Sequence, residues 1–173
     1  MVGWEPGRVT VSVFSVRPMT GEDAQAIAAW RYPGEFAFYN WDADPADLAE
    51  LLDPVLWGKQ YFSVDGPDER LVGMFGFKAK GDSVEIGLGL RPDLTGRGLG
   101  LSFVESGVAF AAERFGVTSF TLAVAAFNQR AISVYRRAGF DVVDQYSHET
   151  NGGMHPFVRM VRMDGPHPPE PAE

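Results

Sequence analysis

Val9 to Arg17 (VTVSVFSVR) alternates apolar and polar side chains one by one, the two-residue period of a half-buried strand. The period then lengthens. Thr20 with Asp23 three places on has the form of a self-capping helix start, and AQAIAAW continues it to Trp30. An aromatic-rich loop follows, Trp30 to Trp41 (WRYPGEFAFYNW). Asp44, Pro45 and Asp47 then open a second helix, because an N-cap oxygen precedes a residue whose missing N–H is harmless in the first turn. Leu48, Leu51, Leu52, Val55 and Leu56 would form its apolar stripe, and Gly58 its stop.

From Tyr61 the period returns to two. Tyr61–Val64, a GPDE turn and Leu71–Phe77 predict a hairpin, and a glycine–aspartate turn adds a third strand, Ser83–Arg91. Leu99–Phe115 is apolar at three- and four-residue spacing and predicts a long helix. Ser119–Val124 predicts a strand, Gln129–Ala138 a helix, and Phe140–Tyr146 and Phe157–Met163 two final strands. The order β-α-α-β-β-β-α-β-α-β-β describes an α/β (α+β) fold, a mixed sheet flanked by helices. Residues 1–8 are expected to be a loose leader and 9–163 a single domain. The segment from Asp164, with PHPPEP, is expected to be a disordered tail.

Composition narrows the chemistry. There is no cysteine among the 173 residues, so disulfides, thiolate metal sites and cysteine nucleophiles are absent together. His148, His155 and His167 show no metal-ligand spacing, and no metal is expected. The net charge of −8 opposes nucleic-acid binding. No apolar run reaches membrane-spanning length and no signal segment opens the chain, so a soluble cytoplasmic protein is expected. Arg91, Arg97, Arg130, Arg136 and Arg137 gather in the second half, either as solvated surface charge or as the partners of an anion.

The stretch Val84 to Ser102 (VEIGLGLRPDLTGRGLGLS) favours the anion. A strand runs into Thr95-Gly96-Arg97-Gly98-Leu99-Gly100 and a helix follows at once. Glycines let backbone approach a ligand, and the first helical turn points unpaired N–H groups outward. Glycine spacing alone is equally consistent with a tight strand-to-helix turn. There is no GxxxxGK[ST], and no βαβ unit with a dinucleotide fingerprint opens the chain. In the strand itself Val84, Ile86, Leu88 and Leu90 share one face, while Glu85, Gly87 and Gly89 share the other. Glycines inside a strand weaken it unless something must lie close.

Together with NQRAISVYRRAGF (Asn128 to Phe140), this stretch resembles the GNAT family of N-acetyltransferases. TGRGLG is similar to that family's acyl-CoA pyrophosphate loop, and the asparagine, helix tyrosine and Gly-Phe turn are similar to its C-terminal motif. The resemblance covers Val84 to Phe140. It implies a GNAT-like, mostly antiparallel central sheet, acetyl-CoA as cosubstrate and an amine acceptor, and it leaves a homodimer open. It departs from the family pattern at Thr95, where glutamine or arginine is usual.

The resemblance assigns roles. Leu88, Gly89 and Leu90 would present backbone to the pantetheine arm, with an N–H near Leu90 stabilising the oxyanion. Thr95, Gly96, Arg97, Gly98, Leu99, Gly100 and Leu101 would hold the pyrophosphate. Asn128 would hydrogen-bond the CoA arm or, equally, cap the helix after it. Tyr135 would donate a hydrogen bond to the departing thiolate, or else be an ordinary core tyrosine. Glu85 would be the base, or a surface carboxylate, with Glu35 in reserve. The Trp30–Trp41 loop would be an acceptor wall for an apolar or cationic amine, or a satellite hydrophobic cluster. Without a cysteine, direct amine attack on the thioester is expected. An acyl-CoA-sensing domain without turnover and a partner-binding domain with the aromatic loop as interface are the alternatives.

Overall fold

The structure, a computed structural model, describes residues 13–57 and 60–165. The expected leader, the start of the first strand, Gly58 and the tail from residue 166 lie outside the described residues. Seven strands form one sheet in the order β1-β2-β3-β4-β5-β7-β6. They are β1 (Ser15–Pro18), β2 (Tyr61–Asp65), β3 (Leu71–Lys80), β4 (Ser83–Leu90), β5 (Ser119–Ala125), β6 (Asp141–Thr150) and β7 (Gly153–Met163). Every neighbouring pair is antiparallel except β4 and β5, which are parallel and joined through α4 (Gly100–Phe115).

That one parallel pair is where the sheet opens. β4 and β5 are in register only over Ser83–Glu85 opposite Ser119–Thr121. Beyond it β4 stays with β3 as far as Leu90, and β5 stays with β7 as far as Ala125. The two central strands therefore part into a V.

The larger core lies between the sheet and α4. Phe75 and Phe103 stack with ring centroids 4.6 Å apart. This contact needs Gly107 in mid-helix, because a Cβ there would stand 2.7 Å from the Phe75 ring. The other face carries a smaller core of Met19, Ala24, Ile27, Leu51, Trp57 and Met74, under α1 (Gly21–Ala28) and α2 (Pro45–Leu52). The capping box expected at α1 is present: Thr20 Oγ1 accepts from the Asp23 N–H at 3.1 Å, and Asp23 accepts from the Thr20 N–H at 3.0 Å.

The second helix differs from its expected stripe. It stops at Leu52, and Pro54–Trp57 forms a separate turn, α3. Pro54 has no N–H to give and disfavours helical backbone in the residue before it; Asp53 is accordingly extended, at φ −109° and ψ 101°. Leu51 is buried, but Leu52, Val55 and Leu56 are exposed, and Trp57 turns inward to donate to the Leu51 carbonyl at 2.8 Å. The last two strands run longer than expected, to a tight turn at Asn151-Gly152 with φ of 52° and 75°. Both central residues left-handed is the hairpin turn that an Asn-Gly pair favours.

Candidate active site

Antiparallel hydrogen bonding decides what the open V presents. The Arg91 N–H donates to the Val72 carbonyl on the β3 side at 2.7 Å. Alternation along the ladder then turns the Leu90 and Leu88 peptide groups the other way, into the gap left by β5. The Leu90 carbonyl bears this out, accepting the Tyr32 hydroxyl at 2.7 Å from across the gap. β3 and β4 pair without a register shift, so β4 passes the gap as a straight edge. Its other face is cleared. A Cβ on Gly87 would meet only the Gly76 carbonyl at 3.7 Å, and one on Gly89 would meet Met74 and Tyr32 at ordinary contact distance. The gap widens into a cavity of about 810 Å³ that runs from the glycine loop to the aromatic segment.

At the loop end, Gly96 and Gly98 have φ of 71° and 77°, backbone that other residues adopt at a cost. Gly100 is a glycine for a different reason: a Cβ there would stand 3.3 Å from Val134 of α5 (Gln129–Arg137), so it lets the two helices approach. α4 has no side-chain cap at Leu99, and its first bond runs from the Phe103 N–H to the Leu99 carbonyl. The N–H groups of Gly100, Leu101 and Ser102 are thus free of intrahelical partners at the positive end of a 16-residue helix. The Thr95 hydroxyl donates to the Pro92 carbonyl at 2.7 Å, so its proton is committed to the turn.

The arginines separate. Arg130 and Arg137 line the cavity, whereas Arg91, Arg97 and Arg136 stand outside its lining. Arg91 is paired with Asp93 at 2.6 Å. Arg130 lies over the Phe36 ring at 4.3 Å, beside Gly96. Leu99 is also outside the lining, while Thr95, Gly96, Gly98, Gly100 and Leu101 are within it.

Asn128 is buried and caps α5, with Oδ1 accepting from the Ala131 N–H at 3.1 Å. Its Nδ2 donates to the Tyr39 hydroxyl at 3.2 Å. Tyr135 lines the same cavity, and its hydroxyl makes no hydrogen bond among the described residues. Burial pushes that phenol well above its ordinary pKa, and the nearby Tyr39 adds to the shift.

Farther from the loop the lining changes character. Trp30, Trp41 and Tyr61 meet Asp47 and Glu50 of α2 and Glu85 of β4. Glu50 accepts the Tyr61 hydroxyl at 3.2 Å. Burial raises the Asp47 pKa, as do the charges of Asp44 and Glu50, against the opposing effect of His148. Neither Asp47 nor Glu50 has an ion-pair partner among the described residues. Glu85 is ion-paired with Lys80. Glu35 is exposed and outside the lining.

The aromatic segment spans the V. Tyr32 holds it to β4 and Tyr39 holds it to the start of α5, while Trp30 and Trp41 also pack on the smaller core. Tyr32, Tyr39 and Arg130 had no individual site role in the sequence. The two tyrosine contacts join residues 58 and 89 positions apart, beyond the reach of local pattern. Among the described residues no helix is long and apolar enough to cross a membrane, and no three His, Asp or Glu side chains converge as a metal site.

An open strand edge thus runs into an uncapped helix start, with a tyrosine on the facing helix. A family model described as acetyltransferase (GNAT) domain matches residues 14–141, and the chain belongs to this family. It is 39% identical over 119 residues to a mycothiol acetyltransferase of Clavibacter michiganensis subsp. michiganensis, a match covering 68% of this chain and 37% of that protein. A mycothiol acetyltransferase of Clavibacter sepedonicus is 40% identical over 74 residues, 42% of this chain and 24% of its own length. The chain thus spans well under half of the curated relatives it matches. Among solved structures, spermidine N-acetyltransferase from Vibrio cholerae in complex with CoA and spermine superposes with a TM-score of 0.71 at 20% identity. That match covers 88% of this chain and 96% of the other, and shows the same fold.

Proposed function

We propose that the protein transfers an acetyl group from acetyl-CoA to the primary amine of a small cationic acceptor, by direct attack. The observation that carries this reading is the continuous cleft, with an anion-seeking helix start at one end and unpaired carboxylates among aromatic rings at the other. The N–H groups of Gly100 and Leu101, the Gly96–Gly98 turn and Arg130 suit a pyrophosphate. Leu88 and Leu90 offer edge N–H groups to amides and to an oxyanion. Acetyl-CoA supplies the activated thioester.

Tyr135 presents an unengaged hydroxyl toward the leaving sulfur. A thiol pKa near ~8.5 against a phenol above ~10 makes complete proton transfer uphill, so this phenol acts as a hydrogen-bond donor. Glu85 takes the acceptor's proton, while Asp47 and Glu50 hold its positive charge with Trp30, Trp41 and Tyr61. The polyamine in the Vibrio cholerae structure supports a cationic acceptor.

The test is a thiol-release assay with acetyl-CoA and a panel of neutral, singly and multiply charged amines, run beside thermal melts. Acetyl-CoA at 100 times its Kd is expected to stabilise the fold by about 2.7 kcal/mol. Charged amines are expected to turn over with lower KM than neutral ones, and Glu50→Gln to raise that KM several-fold without altering acetyl-CoA affinity. Absence of any acetyl-CoA-dependent stabilisation would refute the proposal. Stabilisation without turnover of any amine would instead favour a sensing role.

A further inference from the structure

Resting on the acyltransferase reading, we infer that Tyr39 is a second hydrogen-bond donor to the leaving thiolate, aimed by Asn128 and acting beside Tyr135. Tyr39 closes the short 3-10 turn Gly34–Tyr39 and reaches the cavity wall near the start of α5. Its oxygen accepts from Asn128 Nδ2 at 3.2 Å, and the Ala125 backbone N–H lies near it. A phenol oxygen has two acceptor sites and one proton to give. Asn128 occupies one acceptor site of that oxygen, and the hydroxyl proton has no acceptor among the described residues. A hydroxyl that accepts hydrogen bonds is polarised to donate a stronger one.

The two phenols therefore differ in kind. Burial pushes Tyr39 up, but the bonds from Asn128 and Ala125 draw it back toward ionisation. Tyr135 has only upward causes, burial first and the neighbouring Tyr39 second. The ionisable groups of the same wall are Arg130 and Arg137 of α5 and His148 of β6; the arginines further favour a thiolate. Asn128 is thereby a positioning residue. Its Oδ1 caps α5 and one Nδ2 hydrogen goes to Tyr39, so it acts on the reaction through the phenol it orients.

The step balances without an added reactant. The acceptor nitrogen bonds to the acyl carbon, the C–S bond breaks with its electron pair going to sulfur, and the Tyr39 and Tyr135 protons bridge to that sulfur. Where a proton crosses completely, the one released by the acceptor nitrogen restores the phenol.

The measurement is the thiol pKa of bound CoA, read from thiolate ultraviolet absorbance, in the parent, Tyr39→Phe, Tyr135→Phe and the double variant. Kd for CoA, melting temperature and kcat are followed in parallel. Bound CoA is expected to ionise at lower pH than free CoA. Tyr39→Phe should raise that midpoint by about one pH unit, corresponding to about 1.4 kcal/mol, and the double variant should raise it further. Tyr39→Phe should keep Kd within about twofold and lose at least tenfold in kcat. If it melts early, 3-fluorotyrosine at position 39 keeps the ring and its hydrogen bonds and should lower the midpoint further. A bound-thiol midpoint indifferent to both changes at position 39 overturns the inference and leaves the acyltransferase reading standing. Failure of CoA to bind the parent removes that reading, and the inference with it.

Discussion

Glu85 stands at the vertex of the V, in the last pair that β4 makes with β5, opposite Thr121 on one side and Lys78 on the other. Its ion pair with Lys80 restrains the carboxylate. Asp47 and Glu50 line the same cavity, and in the proposed reaction they hold the acceptor's charge rather than take its proton. The two roles have different pH signatures. At neutral pH an alkylamine is almost wholly protonated, so losing the base is costly; at high pH solvent supplies the free amine. Glu85→Gln is therefore expected to lower kcat about 10²-fold near pH 7, with the deficit shrinking as pH rises. Glu50→Gln should give a KM increase that does not shrink in this way. A Glu85→Gln profile superimposable on the parent's would leave Glu85 as a structural carboxylate of the sheet.

Helix α4 shows how an element can contradict its own residue preferences. A glycine inside a helix costs about 1 kcal/mol relative to alanine, so Gly107→Ala would be a stabilising change on propensity alone. Packing reverses the sign. The new Cβ would stand 2.7 Å from Phe75 Cε1 and 3.0 Å from Cζ, against a ring that is fully buried and stacked on Phe103. Gly107→Ala is expected to lower stability by about 1–3 kcal/mol, the usual range for overpacking, read as a fall in urea midpoint with unchanged slope. A higher midpoint would mean that Phe75 can turn aside freely.

The same contrast explains what could be read from the chain. The Thr20–Asp23 box, the Asp44-Pro45 start and the alternation of β4 are decided within a few residues and were legible. So were the position of the glycine loop just before α4 and the Asn128–Tyr135 spacing along α5, because each is set within a short stretch of chain. The break at Asp53–Pro54 was legible in principle, but the continuing apolar spacing of Val55 and Leu56 masked it. The alternative roles of the Trp30–Trp41 segment depended on where it lands. That is set by contacts with Leu90 and Asn128 far along the chain, and by the parting of β4 from β5, which no local pattern encodes.

At the scale of the whole molecule, one ionic cluster ties the edge of the sheet to α1. Arg17 of β1 donates to Asp23 of α1 at 2.6 and 3.0 Å and to Asp65 of β2 at 2.6 and 3.1 Å, and Ser63 of β2 donates to Asp23 at 2.8 Å. Burial by itself would raise the Asp23 pKa, but the bonds from Arg17, the Thr20 N–H and Ser63 hold the carboxyl well below the usual carboxylate range. Its folded pKa is thus lower than its unfolded value of about 3.9. The unfolded chain binds the proton more readily, and stability rises with pH between the two values. The contribution is present above about pH 4 and is lost as the pH falls toward the folded pKa. Asp23→Asn removes the charge but keeps the shape, and leaves the Arg17 guanidinium with Asp65 alone. It is expected to cost about 1–2 kcal/mol at pH 7, less than breaking a fully buried pair because Arg17 is partly exposed to solvent. The parent should then approach the variant as both are acidified from pH 5 to pH 2, because protonation does to Asp23 what the substitution has already done. Urea midpoints for the two proteins across that range give the comparison directly. A gap that stayed constant down to pH 2 would mean that the Asp23 carboxylate is not what joins β1, α1 and β2.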